Sequence, residues 1–210
     1  MRDPAPRHPL PDHPLIPDDT DLGVNSLERR YRVHDDAEGR KFMGELISHL
    51  ARLAKRHTYH TTTLYLDKPS GGWMDGTTKV KYRFRNYDGD RDSQGRQIWF
   101  LEQKCHKGDK TYKRRVKLTW DDLARLKPLV PQFADQYTRW EYEFRGIRVT
   151  IDTHVKALDK HMKAHATLDE YIIEVKRAPN VPDWLLDMLK PYETDKSKSK
   201  WIRKELGISA

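Results

Sequence analysis

Basic side chains recur at every second position in several strand-like segments of this 210-residue sequence. Lys81, Arg83 and Arg85 alternate with apolar residues in one segment. In another, Lys113, Arg115 and Lys117 share one face, opposite Tyr112, Val116 and Leu118. Side chains two residues apart on a β-strand lie on the same face, about 7 Å from each other. Like charges at that spacing repel each other unless an anion lies between them. The pattern therefore predicts a surface that binds a multiply charged anion such as a phosphate chain.

Single carboxylates are placed among these basic positions. Glu102 precedes Lys104 by two residues, and Glu174 precedes Lys176 in the same way. For any one strand, the ordinary explanation is a sheet face that is exposed to solvent. Exposed faces usually carry many Thr, Ser and Gln residues, whereas these faces are rich in Arg and Lys. Taken together, the segments favour a basic barrel interior, with the apolar faces turned outward beneath helices.

The segments that position these side chains are predicted to be eight strands. Their separators carry turn residues, as in 69–72 (PSGG), 88–90 (DGD) and 107–109 (KGD), and Gly146 is expected to form a hairpin. The predicted strands are 28–33, 62–66, 79–87, 98–106, 111–118, 138–144, 147–153 and 171–177. About eight antiparallel strands with a few packed helices indicate an α+β fold, a closed or nearly closed β-barrel tunnel.

Helices are predicted between and after the strands. The first follows a cap at Asp35 or Asp36, carries an apolar stripe at helical spacing, and should end near His57. A short helix follows Thr119, which is its expected N-cap. Another helix begins at Pro182.

The composition indicates one folded domain and an anionic partner. The net charge is +8, the isoelectric point is about 9.4 and the mean hydropathy is −0.94. The proline-rich residues 1–24 predict a disordered arm, and residues 25–205 are expected to form the domain. A single cysteine excludes an internal disulfide framework, and no apolar run has the length of a membrane span. We therefore expect a cytoplasmic protein without membrane insertion, whose oligomeric state is left open.

An ordered set of short segments resembles the VTC (vacuolar transporter chaperone) polyphosphate polymerase domains, which belong to the CYTH-like triphosphate tunnel superfamily. The resemblance spans about residues 25–203 and depends on the order of the segments, because each one alone is weakly specific. The matching segments are 30–35 (RYRVHD), 63–67 (TLYLD), 83–87 (RFRNY), 102–106 (EQKCH), 113–115 (KRR), 137–139 (YTR), 148–153 (RVTIDT), 174–176 (EVK) and 199–201 (SKW).

This resemblance implies a tunnel open at both ends, in which the γ-phosphoryl group of ATP is transferred to a growing polyphosphate chain with Mn²⁺ or Mg²⁺. ATP and polyphosphate would be its partners. The residues placed at the reaction are Arg83, Arg85, Lys104, Arg139 and Glu174, of which Glu174 would hold the metal. The further residues assigned to phosphate binding are Arg30, His106, Lys113, Arg115, Arg148, Lys176, Ser199 and Lys200.

The first strand departs from the related tunnel hydrolases, and other functions stay open. Those hydrolases carry Glu-x-Glu-x-Lys, whereas this chain has Ser26, Glu28 and Arg30 at those positions. The missing carboxylate counts against a dedicated triphosphatase, which remains an alternative. A module that binds polyphosphate or nucleotide without turnover is another. A nucleic-acid binder is disfavoured, because glutamates are mixed with the basic positions and no RNP-like aromatic motif is present.

Overall fold

The computed structural model describes residues 28–67, 74–75, 78–107, 110–125, 129–176 and 181–208. The predicted N-terminal arm and the predicted turn at 69–72 lie outside these residues. The strands are β1 (Glu28–His34), β2 (His57–Asp67), β3 (Met74–Asp75), β4 (Thr78–Arg91), β5 (Gln97–Lys107), β6 (Lys110–Thr119), β7 (Val130–Phe144), β8 (Ile147–Asp159), β9 (Ala164–Thr167) and β10 (Glu170–Lys176). The helices are α1 (Ala37–Leu53), α2 (Asp183–Leu189) and α3 (Lys198–Glu205), with 3-10 turns at Trp120–Arg125 and Lys190–Tyr192.

All the strands form one antiparallel sheet that curls around an interior. Its strand order is β1-β10-β8-β7-β2-β4-β5-β6, while β3 pairs with β4 and β9 pairs with β8. The edge strands β1 and β6 are not paired with each other in the described part of the chain, so the sheet is curled but not strictly closed. This arrangement confirms the predicted α+β fold with an antiparallel, nearly closed barrel.

The apolar strand faces point outward, as the alternation predicts. On one side, Leu46 and Leu50 of α1 and Leu185 of α2 are buried against strand residues that include Val149 and Ile173. Each fully buried leucine or isoleucine stabilises the fold by roughly 1.5–3 kcal/mol relative to an exposed one. Packing of the helices on the outer face therefore leaves the opposite, polar face of each strand to line the interior.

A second apolar cluster covers the outer face of β4 and β5. The rings of Phe84 and Trp99 stack with centroids 4.8 Å apart, and Trp120 lies against Trp99 at 4.7 Å. Trp120 begins a 3-10 turn where a short helix was predicted. Thr119 lies directly before this turn, at the predicted N-cap position, and its backbone amide and hydroxyl both donate to the Asp122 carboxylate at 2.9 Å.

Helix α1 begins where predicted and ends earlier than predicted. The Asp36 carboxylate accepts a hydrogen bond from the Gly39 amide at 2.7 Å, which confirms an N-cap. A Cβ atom at position 39 would clash with the carbonyl oxygen of His34, so glycine permits this close approach to β1. The predicted end near His57 is wrong: α1 ends at Leu53, and His57 begins β2. The β-branched and aromatic residues that follow His57 favour a strand over another helical turn.

The hairpins agree with the sequence at one turn and differ at another. Arg145 and Gly146 have φ values of 47° and 74°, as in a type I′ turn, and they join β7 to β8 as predicted. The predicted turn at 88–90 instead lies within β4, and the chain reverses around Gly95, whose φ is 76°. Strand β9 was not predicted. No described helix has both the length and the apolar character required to span a bilayer.

Candidate active site

Charged side chains from β1, β4, β5, β6, β7, β8 and β10 line the interior. The strand register sets this arrangement: Arg30 lies opposite Glu174, and Asp152 lies opposite Arg139. Each of these residues alternates with an apolar residue of the outer core, such as Tyr31 or Ile151. The inward direction of the basic faces, on which the tunnel prediction depends, therefore agrees with the structure.

The first group of charges, the Glu102 cluster, consists of Glu102, Arg83, Arg85 and Arg115. Glu102 on β5 is fully buried, and its carboxylate lies 2.8 Å from Arg83 and 3.8 Å from Arg85. Arg115 on β6 donates to the same carboxylate from its Nε atom at 3.0 Å. A buried carboxylate is tolerated only when it is paired and hydrogen-bonded. Glu102 thus holds three guanidinium groups close together, which come from the strands on either side of β5: two from β4 and one from β6.

The second group, the Glu174 cluster, consists of Glu28, Arg30, Arg139, Glu174 and Lys176. The Glu174 carboxylate lies 2.8 Å from Lys176, 3.7 Å from Arg30 and 3.9 Å from Arg139. Arg30 and Lys176 also pair with Glu28, at 2.6 and 3.7 Å. Burial acts to raise the pKa of Glu174, but Lys176 and Arg139 outweigh it and hold the pKa well below its usual value. Glu174 is therefore an anion at neutral pH.

A third set of contacts ties helix α3 to the interior through Lys198. Its ammonium group lies 3.0 Å from Asp152 and 3.6 Å from Asp135, and 3.0 Å from the ring centroid of Tyr137. Asp152 in turn accepts two hydrogen bonds from Arg139, at 2.6 and 2.8 Å. Lys198 is thus connected through Asp152 to the Glu174 cluster.

Helix α3 also packs across the interior at this end. Ile202 is fully buried in a cluster with Tyr65 and Phe133, which are on the inward faces of β2 and β7. Trp201 packs against the same cluster and against the one that contains Tyr137. The resemblance implied a tunnel open at both ends, whereas here α3 lies against the inward-facing aromatic residues of one end.

Lys104 connects the two edges of the curled sheet. Burial lowers the pKa of this β5 lysine, and Arg83, Lys176 and Arg30 lower it further, while Glu28 opposes them. Arg30 and Glu28 belong to the edge strand β1, whereas Lys104 belongs to β5, next to the other edge strand, so charges from the two sides of the sheet influence each other across the interior. This proximity supports one shared cavity instead of two separate surfaces.

Lys104 provides a pH test of this cavity. In the free protein the Lys104 pKa lies below its usual value. The affinity for tripolyphosphate should therefore be highest at pH values below that lowered pKa, where Lys104 is protonated. The affinity should fall as the pH rises through it, before the ordinary lysine value of about 10.4 is reached. The measurement is calorimetric titration with tripolyphosphate from pH 7 to 10. The Lys104→Arg variant, whose guanidinium stays protonated, should lose this decline, and an identical decline in both proteins would remove Lys104 from the site.

Several inward-facing donors are buried without a hydrogen-bond partner among the described residues. They are the Nε atoms of Arg83 and Arg148 and the hydroxyls of Thr150 and Tyr137. Buried donors of this kind require an explanation, because their desolvation costs free energy unless an acceptor is bound. Phosphate oxygens are acceptors that suit both guanidinium and hydroxyl groups.

The structure brings together most of the residues that the sequence singled out. Arg148 is half-buried opposite Lys176 on the inward face of β8, where that face continues from the Glu174 cluster. The described residues of the predicted set that line the interior are Arg30, Arg83, Arg85, Lys104, Arg115, Arg139, Arg148, Glu174 and Lys176. The side chains of His106 and Lys113 lie outside the described part of the structure.

The C-terminal segment differs from the expectation. Lys200 is exposed on α3, and the hydroxyl of Ser199 lies 3.2 Å from that of Ser197. Lys198 is the lysine that reaches the interior, and the sequence analysis did not single it out. Ser197 is the N-cap of α3, and its side chain accepts a hydrogen bond from the Lys200 amide. Asp135, one of the partners of Lys198, was not predicted either.

The acidic residues fit a divalent cation that is shared with phosphate. Among the described residues, no group of three or more His, Cys, Asp or Glu side chains could hold a metal ion alone. Glu174 and Glu28 nevertheless share two cationic partners in the Glu174 cluster, and Glu174 stays ionised. Mg²⁺ and similar hard cations are commonly held by one or two carboxylates together with substrate phosphates. Glu174, with Glu28 beside it, is a donor set of that kind.

Two cavities of about 400 Å³ each lie apart from the two charge clusters. Both are lined by Thr62, Asn86, Gln97 and Gln136, and neither contains a member of the Glu102 or Glu174 clusters. The two charge clusters and the buried, unpartnered donors of Arg83, Arg148 and Thr150 belong to the interior. We therefore place the candidate active site in the interior and not in these cavities.

Comparisons with solved structures establish the same fold in other proteins. A candidate adenylyl cyclase from Hippeastrum, described with a dominant triphosphatase activity, is 12% identical with a TM-score of 0.53, over 86% of this chain and 96% of that one. A candidate adenylate cyclase from Vibrio parahaemolyticus is 11% identical with a TM-score of 0.52, over 85% and 97%. A chain of the Schizosaccharomyces pombe Mediator head module is 11% identical with a TM-score of 0.51, over 88% and 95%. At such identities these likenesses establish the fold alone.

The sequence comparison identifies the family. No curated protein matches the chain. The sequence model of the VTC domain matches residues 17–128, which is more than half of the chain. That stretch contains β1 to β6, and so it includes Arg30 of the Glu174 cluster and the whole Glu102 cluster. Together with the triphosphate tunnel fold and its basic interior, this match shows that the chain belongs to the VTC domain family.

Proposed function

We propose that this chain is a polyphosphate polymerase, which transfers the γ-phosphoryl group of ATP to the end of a polyphosphate chain bound in the interior. The observation that supports it most is the set of buried, unpartnered donors of Arg83, Arg148, Thr150 and Tyr137 beside the two charge clusters. A neutral ligand would not compensate the positive charge of so many converging side chains. A polyphosphate carries negatively charged oxygen atoms, which accept hydrogen bonds, along its whole length.

The reaction requires positioning and charge stabilisation more than covalent chemistry. An oxygen of the terminal phosphate of the chain attacks the γ-phosphorus of ATP. The bond from that phosphorus to the β–γ bridging oxygen breaks, and ADP leaves. Because the attacking oxygen is already anionic, no general base is needed. Arg83, Arg85, Lys104 and Arg139 stabilise the negative charge on the transferred group, and the ion pairs of the three arginines hold these in place before the substrate binds.

Glu174 is the residue that would hold a divalent cation, Mn²⁺ or Mg²⁺, with Glu28 beside it. When bound, such a cation neutralises charge on the phosphate oxygens that it contacts. Lys176 and Arg30 compete for the same carboxylates in the absence of substrate. Phosphate oxygens can take over these two cations as partners, which frees carboxylate oxygen atoms for metal binding.

A metal-dependent triphosphatase is the second candidate. The described activity of the Hippeastrum protein, together with its similar fold, supports it. In that case the nucleophile is water, which is a weaker nucleophile than an anionic phosphate. Among the described residues, Glu141 is held by Tyr59, which donates to it at 2.9 Å, and Asp152 is held by Arg139. Both carboxylates are already engaged by these partners, so neither is available to activate water as a general base. The triphosphatase is therefore the second candidate.

Product analysis separates these functions. With ATP and Mn²⁺, the purified chain should form a polymer that an exopolyphosphatase degrades, with one ADP released for each phosphate incorporated. Release of orthophosphate without polymer would instead support the triphosphatase. ATP binding with neither product would support a binding module. The cytoplasmic location stays a prediction that microscopy of a tagged chain can check.

A further inference from the structure

Three aromatic side chains, Tyr59, Tyr87 and Phe100, form a cluster on the inward face of β2, β4 and β5, which we name the aromatic mouth. The rings of Tyr59 and Tyr87 meet edge to face with centroids 5.6 Å apart, and those of Tyr87 and Phe100 are 5.8 Å apart. All three side chains are half-buried. Inward-facing aromatic residues are not required to bind phosphate, so the proposed chemistry leaves the cluster without a role.

The rings of the aromatic mouth are held in position by polar contacts. The Tyr59 hydroxyl donates to Glu141 at 2.9 Å, and the Tyr87 hydroxyl accepts from Arg115 at 3.0 Å. Lys117, which lies opposite Phe100 in the register, is exposed. The cluster therefore lies where the interior meets solvent, with its polar ends satisfied and its ring orientation fixed.

Arg115 joins the aromatic mouth to the phosphate-binding groups. Its guanidinium carbon lies 4.7 Å from the centroid of Phe100 and 5.7 Å from that of Tyr87, and its Nε donates to Glu102. Tyr87 follows Arg85 by two residues on β4, and Phe100 precedes Glu102 by two residues on β5. The aromatic surface is thus one strand repeat, about 7 Å, from the Glu102 cluster. The planar guanidinium of Arg115 extends that surface, because it stacks as an aromatic ring does.

We propose that the aromatic mouth binds the nucleobase of the phosphoryl donor by stacking, while the triphosphate of the donor extends inward to Arg83 and Arg85. This inference rests on the proposed function, and it specifies a nucleoside triphosphate, not inorganic triphosphate, as the preferred donor. Stacking on a ring requires only a π-face, so it tolerates any base. The hydroxyls of Tyr59 and Tyr87 are engaged by Glu141 and Arg115, so the site distinguishes poorly between adenine and guanine.

The test compares ligands that share a triphosphate and differ in the base. Calorimetry on the full chain measures the Kd of ATP, GTP and inorganic tripolyphosphate for wild type and Phe100→Leu, with and without Mn²⁺. Leucine keeps most of the apolar volume but removes the ring. We expect Phe100→Leu to weaken ATP and GTP binding about tenfold and to change tripolyphosphate binding by less than about twofold. The matched control is Trp120→Leu on the outer face of the sheet, which should change none of the three constants.

Each outcome decides the proposal. If Phe100→Leu weakens all three ligands equally, or none of them, the aromatic mouth does not bind the base, although the phosphate site stands. If wild type binds ATP no more tightly than tripolyphosphate, the preference for nucleoside triphosphates is wrong. If wild type does not bind tripolyphosphate at all, the proposed function itself fails. Should Phe100→Leu unfold, Tyr59→Leu with the same ligands replaces it, because it also removes one ring of the cluster and should weaken ATP and GTP binding while leaving tripolyphosphate binding unaltered.

Discussion

Replacing Glu174 with glutamine is expected to abolish metal-dependent turnover while the protein stays folded. Glutamine keeps the size of the side chain but removes the charge that would hold a divalent cation beside Arg139 and Lys176. Metal ions contribute several kcal/mol of transition-state stabilisation, so the rate with Mn²⁺ should fall by about a thousandfold or more. Because the same change makes the interior more positive, the metal-free affinity for tripolyphosphate should be retained or increased.

Rate and affinity have to be measured on the same Glu174→Gln preparation. The matched control is Glu45→Gln, which makes the same change on the exposed side of α1 and should leave both quantities unaltered. Circular dichroism establishes that both variants are folded. A Glu174→Gln protein with the wild-type rate would show that the metal is held elsewhere. A loss of rate together with a loss of metal-free affinity would show that Glu174 acts only by organising the cations around it.

The second large effect is expected from replacing Arg83 and Arg85 together with alanine. Both guanidinium groups pair with Glu102, and Arg85 is buried. Removing buried charge contacts of this kind weakens binding by roughly 2–5 kcal/mol, which we expect for tripolyphosphate and for ATP. The double variant should also lose stability, because the fully buried Glu102 loses two of its guanidinium partners, and breaking a buried ion pair costs about 3–5 kcal/mol.

A triple variant separates these two effects. Adding Glu102→Gln to the double variant removes the buried negative charge that was left with too few partners. Urea denaturation should therefore show that stability is recovered in part, whereas calorimetry should show that the phosphate affinity is not. If affinity returns together with stability, the arginines serve only the fold. An unchanged ATP affinity in the double variant would exclude both residues from the site.

The faces of the strands could be predicted from sequence because alternation is a local property. Arg83 and Glu174 point inward for the same reason that Phe84 and Val175 point outward, and no long-range information is needed to see it. The type I′ turn at Gly146 and the cap at Asp36 are equally local. Helix α1 was extended to His57 because its apolar stripe has no sharp end, and competition from the β2 strand decided the boundary.

What could not be predicted depends on distant parts of the chain. Lys198 lies between two serine residues, and Lys200 follows one of them. Only the packing of Ile202 and Trp201 on the barrel selects which of the two lysines turns inward. The aromatic mouth likewise joins residues from three separate strands, none of which stands out alone. The pairing of Glu28 with Lys176, and of Lys198 with Asp152, follows from register and curvature, which alternation within one strand does not determine.

The unpaired edges of the sheet have a mechanical consequence. In the described chain, β1 and β6 share no backbone ladder, so the circumference of the cavity is not set by a continuous ring of amide bonds. Lys104 on β5 is influenced by the charges of Glu28 and Arg30 on β1. A multivalent anion draws the cations of both sides toward itself, and concentrated salt screens this attraction. The gap between the two edges should therefore narrow around its ligand, and less so in concentrated salt, which a distance measurement between spin labels on β1 and β5 would resolve.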